Sequence, residues 1–91
     1  MTVVETKVVI INRVGLNARP ARQLVQTAAQ FQSHIQVQAG DKSANARSIL
    51  GVLKLGAASG ATLHIHAEGE DAEEAVKTLI DLVQRKFDEE E

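Results

Sequence analysis

Val3-Val4-Glu5-Thr6-Lys7-Val8-Val9-Ile10-Ile11-Asn12-Arg13-Val14-Gly15-Leu16-Asn17-Ala18-Arg19-Pro20-Ala21 starts with one periodicity and ends with another. From Val3 to Ile11 the residues are β-branched and roughly alternate, which predicts a strand with Val4, Thr6, Val8 and Ile10 on its core face. Asn12 to Leu16 reads as a loop. Beyond it Ala21, Leu24, Val25, Ala28 and Phe31 follow i, i+3, i+4, i+7, i+10, the stripe of an amphipathic helix over Ala18 to Phe31. Arg22, Gln23, Gln26 and Gln30 fall on its wetter side.

The same two periods alternate down the chain. His34 to Ala39 predicts a strand with Ile35, Val37 and Ala39 inward; Gly40-Asp41 is a turn and Lys42 to Asn45 a short return strand. Ser48 to Leu55 predicts a short helix, capped by Ser48 and stopped near Gly56. Ala61 to Ala67 is a strand with Leu63, Ile65 and Ala67 inward. Asp71 to about Phe87 is a long helix with Ala72, Ala75, Val76, Leu79 and Val83 on one stripe. Asp71, Glu73 and Glu74 sit where its dipole favours acids. The order is βαββαβα. Alternating strands leave one sheet face wet, so three helices must cover the other, giving an open two-layer sandwich. Strand order is left open.

Ninety-one residues are expected to form a single domain, 1–91, with one core and no deep cavity. Only Phe31 and Phe87 are aromatic, so Val, Ile, Leu and Ala must build that core. There is no cysteine, which excludes disulfide and thiolate chemistry and is compatible with the cytoplasm. No apolar run approaches the roughly 18 residues of a membrane span, and the start of the chain does not read as a signal peptide. The net charge of −2 conceals a segregation. Lys7, Arg13, Arg19, Arg22, Lys42, Arg47 and Lys54 face a single acid, Asp41, between Thr6 and Ala67, whereas ten of the twelve acids lie from Glu68 onward. The body is expected to meet an acidic partner or a phosphate. The acidic total and the lack of stacking aromatics argue against nucleic acid. Asp88 to Glu91 is expected to aid solubility.

Three stretches could carry chemistry. Asn17 precedes the first helix as N-cap, where its side chain could accept only from the Arg19 amide, because Pro20 has no N–H. Asn17, Ala18 and Arg19 would form an anion-binding corner from free amides, dipole and guanidinium, or simply a capped helix start. Ser48, beside Arg47, is either a plain N-cap or a phosphorylation site, since a phosphate is welcome at a helix start. A two-turn helix cannot bury all of Ile49, Leu50, Val52, Leu53 and Leu55. Some of Ile49, Leu50 and Leu53 should be exposed, as a docking patch rimmed by Arg19, Arg22 and Arg47 or as ordinary leakage. His34, His64 and His66 fall on the polar sheet face with no third ligand type near in sequence, so neither a metal nor any other cofactor is expected.

Two of these segments, Gly15-Leu16-Asn17-Ala18-Arg19-Pro20-Ala21 and Lys42 to Leu55-Gly56, together resemble the HPr family of phosphocarriers. The element order, the chain length and Ala67-Glu68-Gly69-Glu70-Asp71 agree, so the likeness covers almost the whole chain. It implies an α+β fold, a four-stranded antiparallel sheet under three helices. It implies a non-catalytic, cytoplasmic role in the bacterial phosphoenolpyruvate-dependent sugar phosphotransferase system, where a histidine accepts phosphate from enzyme I and passes it to sugar-specific carriers. By that resemblance Arg19 steadies the phosphate, Ser48 is the target of an ATP-dependent serine kinase, and Ile49, Leu50 and Leu53 form the docking patch. The phosphoserine form of the family binds a transcription regulator of carbon catabolite repression. The departure is Asn17 at the histidine position: a carboxamide nitrogen is no usable nucleophile. The family has a histidine-lacking regulatory paralogue, Crh, which carries glutamine there. Arg22 is also unusual and adds positive charge. Two expectations follow: a regulatory protein switched at Ser48, or a phosphocarrier whose histidine has been replaced.

Overall fold

A computed structural model describes residues 1–89. Its elements are β1 (Thr2–Val9), α1 (Ala18–Ala28), β2 (His34–Ala39), β3 (Lys42–Asn45), α2 (Ile49–Lys54), β4 (Thr62–Gly69) and α3 (Ala72–Gln84), then a short turn at Lys86–Asp88. The strands form one sheet in the order β1-β4-β2-β3, antiparallel throughout. This is the open-faced α+β sandwich, and β4 becomes the central strand that ties the two halves of the chain together. In register, Val8 pairs with Leu63 and Thr6 with Ile65, while Ile35 pairs with Ala67 and Val37 with Ile65. A slip of one residue would carry those side chains out of the core.

The expected core faces are the buried ones. Ile35, Val37 and Ala39, then Leu63, Ile65 and Ala67, are buried, as are Val8 and Ile10; Val4 and Thr6, nearer the start of β1, are half-buried. Ala21, Leu24 and Ala28 of α1 are buried, with Val25 and Phe31 packed partly against them. Ala72, Ala75, Val76, Leu79, Leu82 and Val83 form the stripe of α3, which lies over β1 and β4.

Several boundaries differ from the sequence expectation; β4, for one, runs from Thr62 to Gly69 and not from Ala61 to Ala67. β1 ends at Val9, although Ile10 still donates from its amide to the Ala61 carbonyl at 2.9 Å. α1 ends at Ala28, not Phe31. Gln30 and Phe31 close tighter i→i−3 bonds, and the next amides, Gln32 and Ser33, donate to the Asp71 carboxylate at 2.8 and 2.9 Å. α3 ends at Gln84, and Lys86, Phe87 and Asp88 turn left-handed with φ of 58°, 54° and 59°. Phe87 is thereby folded into the core at 1% exposure.

Asp71 therefore does more than face its own helix dipole. It makes no cap bond to α3. It instead ties the start of α3 to the α1–β2 connection through both amides and the Ser33 hydroxyl. The Ser33 hydroxyl, then the Gln32 amide, hold its carboxyl below the ordinary value of 3.8. A lowered folded-state value stabilises above the unfolded value, and that contribution is lost as pH falls through the folded value. The urea midpoint should therefore fall as pH drops below about 4, and Asp71→Asn should flatten that slope. A pH series of urea melts on the two proteins checks it; parallel slopes would refute the assignment.

Candidate functional site

The loop between β1 and α1 is built on one buried amide. Asn12 is 0% exposed, and its Nδ2 donates to the Gly15 carbonyl at 2.9 Å and to Glu89 Oε1 at 2.9 Å. Two acceptors facing one end of the side chain fix that end as the nitrogen. The Gly15 amide returns to the Asn12 carbonyl at 3.2 Å, and Leu16, buried at 4%, donates to the Ala57 carbonyl at 2.9 Å. Gly15 itself turns left-handed with φ +65°. The chain leaving this clamp enters α1 with Asn17, Ala18 and Arg19 exposed and Pro20 buried.

Asn17 caps α1, but with a different partner from the one the sequence suggests. With φ −77° and ψ −176°, it places its Oδ1 2.9 Å from the Ala18 amide, not the Arg19 amide. The extended backbone turns the side chain onto the first helical N–H. The consequence favours an anion: the Arg19 amide is left without a hydrogen-bond partner among the described residues. Neither Arg19 nor Arg22 is ion-paired among those residues. One free amide, two cations and the positive end of an eleven-residue helix thus converge on exposed surface.

Ser48 caps α2 from an extended backbone, its Oγ accepting from the Gly51 amide at 3.0 Å, and it is exposed. Ile49, Leu50 and Leu53 are 39%, 66% and 36% exposed, while Val52 and Leu55 are buried, so the short helix divides its apolar residues as expected. Arg47 lies at the other end of α1 from Arg19. Arg47 Nη2 donates to the Phe31 carbonyl, beyond the end of α1, whereas the loop beyond α2 supports Leu16 near its start. The two helix starts therefore stand at opposite ends of the packed α1–α2 pair.

The histidines lie on the open sheet face, away from this site. His34 and His64 are exposed, and His66 Nδ1 meets Glu5 Oε1 at 2.7 Å with Glu68 Oε1 3.6 Å from Nε2. No group of three metal-ligating side chains forms among the described residues. A groove of about 180 Å³ crosses this face, lined by Glu5, Gln36, Gln38, Ser43, His64 and His66, and is smaller than the roughly 300 Å³ at which small-molecule pockets begin. The Glu5 hydrogen bond, against the cost of desolvation, raises the His66 value above 6.5. An NMR titration should find His66 above 6.5 and Glu5→Gln should bring it down. Since the folded value is raised, any stability from the pair is present below the unfolded value and lost as pH rises through the folded one.

Comparison with known proteins settles the family. A family model described as "PTS HPr component phosphorylation site" matches residues 4–85. The chain belongs to the HPr family. It is 40% identical over 80 residues to the phosphocarrier protein HPr of Neisseria meningitidis serogroup A, covering 88% of this chain and 90% of that one. The crystal structure of HPr-C-His from Thermoanaerobacter tengcongensis superposes with a TM-score of 0.92 at 46% identity, over 97% of this chain and 99% of that one. The solution structure of Crh, the Bacillus subtilis catabolite repression HPr, gives 0.65 at 38% identity, over 88% and 95%. HPr-family membership connects the chain to the phosphotransferase system. No helix among the described residues is long and apolar enough to cross a membrane.

Two residues that shape this HPr-family loop, Asn12 and Glu89, are not expected from the sequence to act on it. For Asn12 the only sequence signal is an Asx residue in a loop that ends in a glycine, a residue type that bonds nearby backbone. Glu89 carried none. It falls in the stretch Asp88 to Glu91 expected only to aid solubility, of which Glu90 and Glu91 lie outside the described residues.

Proposed function

We propose that this HPr-family chain is a regulatory protein of the phosphotransferase system, switched by phosphorylation at Ser48 and acting in carbon catabolite repression. The observation that carries the reading is the contrast between its two helix starts. At α1 the family's histidine position is taken to be Asn17, a carboxamide already committed to the Ala18 amide. At α2 the Ser48 hydroxyl is exposed and faces the Gly51 amide. A serine kinase would join the γ-phosphoryl group of ATP to Ser48 Oγ, releasing ADP and the hydroxyl proton. The new group carries about −1.5 to −2 charges and three acceptor oxygens at a helix start, so it orders that start and does not melt it. Beside it lies the patch of Ile49, Leu50 and Leu53, on which a transcription regulator would seat. The likeness to Crh, the catabolite repression HPr of Bacillus subtilis, supports the same assignment. The protein works through protein partners, without a cofactor, enzymatic turnover, direct nucleic-acid contact or membrane insertion, and in the cytoplasm.

A second reading keeps the carrier surface, with Asn17 as a replaced histidine. Arg19 and Arg22, without ion pairs among the described residues, and the Arg19 amide, without a partner among them, favour it, because they suit a phosphoryl group presented by enzyme I or by a sugar-specific carrier.

Incubation with the serine kinase and ATP, followed by intact mass, tests the first reading. One added phosphate is expected, absent in Ser48→Ala; an unchanged mass, or modification that persists in Ser48→Ala, would overturn it. Asn17→His incubated with enzyme I and phosphoenolpyruvate tests the second. Phosphorylation followed by transfer to a sugar carrier supports a carrier surface, and an inert histidine form removes that reading.

A further inference from the structure

We propose that Glu89 is a positioning residue for the Gly15 loop: a left-handed turn presents its carboxylate to the Asn12 amide, which in turn holds the Gly15 carbonyl. The stretch Lys86 to Glu89 is then part of the docking site and not a solubilising appendage. This holds whether or not Asn17 or Ser48 ever carries phosphate.

Each link is a contact. Lys86, Phe87 and Asp88 all take positive φ, a run that L side chains rarely adopt. The run is locked by the buried Phe87 ring and by amide bonds from Asp88 to the Arg85 carbonyl and from Glu89 to the Lys86 carbonyl, both 3.0 Å. A right-handed continuation of α3 would carry Glu89 onward along the helix axis. The left-handed turn brings it back to a residue 77 positions earlier in sequence. There Oε1 takes one Nδ2 hydrogen of Asn12 while the Gly15 carbonyl takes the other, so both donors of a fully buried amide are engaged. Without Glu89 one of those donors is stranded, and the amide gains a reason to rotate away from Gly15. The loop carbonyl, the turn and the helix start that follows are coupled to it. Coupling of this kind is reciprocal: a partner that shifts the loop also shifts Glu89, and a partner that engages Glu89 also shifts the loop.

Hydrogen exchange on the full chain tests this at the Gly15 and Leu16 amides, which donate to Asn12 and Ala57. Glu89→Ala should speed exchange at both by roughly ten-fold, the opening cost of about one hydrogen bond, and should move the Asn17 and Ala18 amide signals. Glu89→Gln keeps an acceptor in place and should restore most of the protection. Glu73→Ala, an exposed acid on α3, should change neither. The proposal is overturned if Glu89→Ala leaves the loop amides at the parent rate. It is equally overturned if Glu89→Gln is as damaging as Glu89→Ala, or if the sheet amides accelerate as much as the loop, since that would mark a general loss of stability.

Discussion

Gly15→Ala should be among the most destabilising single substitutions in this protein, at about 3–5 kcal/mol, through two separate costs. The first is conformational: Gly15 has φ +65°, and an L side chain there costs about 1–2 kcal/mol. The second is steric. A Cβ would sit 2.5 Å from the Ala57 carbonyl oxygen and 2.9 Å from Ala58 Cα, both backbone atoms that cannot swing aside as a side-chain end could. Relief requires moving the loop away from residues 57 and 58, which breaks the 2.9 Å bond from the Leu16 amide to that same Ala57 carbonyl. A melting temperature lowered by roughly 15 °C or more is expected, at 4–8 °C per kcal/mol for a domain of this size. Gly40→Ala separates the costs, because φ is +61° there but nothing lies within 4 Å of the added carbon. It should lose only the conformational part, about 1–2 kcal/mol. If the two variants melt together, the close approach to Ala57 contributes nothing and the clamp described for this loop is wrong.

That glycine was conspicuous in the sequence, but its reason was not, because the reason lies in residues 57 and 58, some forty positions away. The same distinction runs through the fold. β2 was read to its ends, since Ile35, Val37 and Ala39 alternate cleanly and Gly40 closes the strand. The sheet order was unreadable: nothing local to β4 says that it pairs with both β1 and β2. The end of α1 was misplaced because Phe31 continues the apolar stripe and is half-buried as the stripe requires. What unwinds the chain there is Asp71, which captures the Gln32 and Ser33 amides from another element. Periodicity reports which face is buried; it does not report a competing acceptor forty residues on.

The site divides along the same line. Features set by a residue and its chain neighbours were legible: Ser48 as cap of α2, the exposed Ile49, Leu50 and Leu53, the exposed Arg19. Arg47 is expected with Arg19 and Arg22 around the apolar patch; its contact with the Phe31 carbonyl, from beyond the end of α1, is not readable from the sequence. The cap partner of Asn17 was missed by one residue because cap geometry depends on ψ, which sequence does not supply. Asn12 and Glu89 meet across 77 positions, and only the left-handed turn between α3 and Glu89 makes the meeting possible.

Phe87→Ala should take that turn apart. Phe87 is the largest of the fully buried side chains, in a core that is otherwise aliphatic, and truncating such a ring costs about 3–5 kcal/mol in lost burial and cavity. One effect opposes this. Three consecutive left-handed residues hold about 1–2 kcal/mol of strain each, and the chain could recover it by resuming a right-handed helix. Doing so would pull Glu89 away from Asn12 and strand a buried amide hydrogen, at about 1–3 kcal/mol. Recovery is therefore partial, and the expected net loss is about 1–3 kcal/mol, seen as a lower urea midpoint. The diagnostic signature is regional: the Gly15 and Leu16 amides should lose protection together with the end of α3, although Phe87 is remote from them in sequence. Asp88→Gly should act in the opposite direction. It removes the strain at one left-handed position and gives up only an exposed pair with Arg85, so stability should rise by about 0.5–1 kcal/mol. A Phe87→Ala protein that melts within a degree or two of its parent would mean that the ring does not hold the turn, and Glu89 would then reach Asn12 for some other reason.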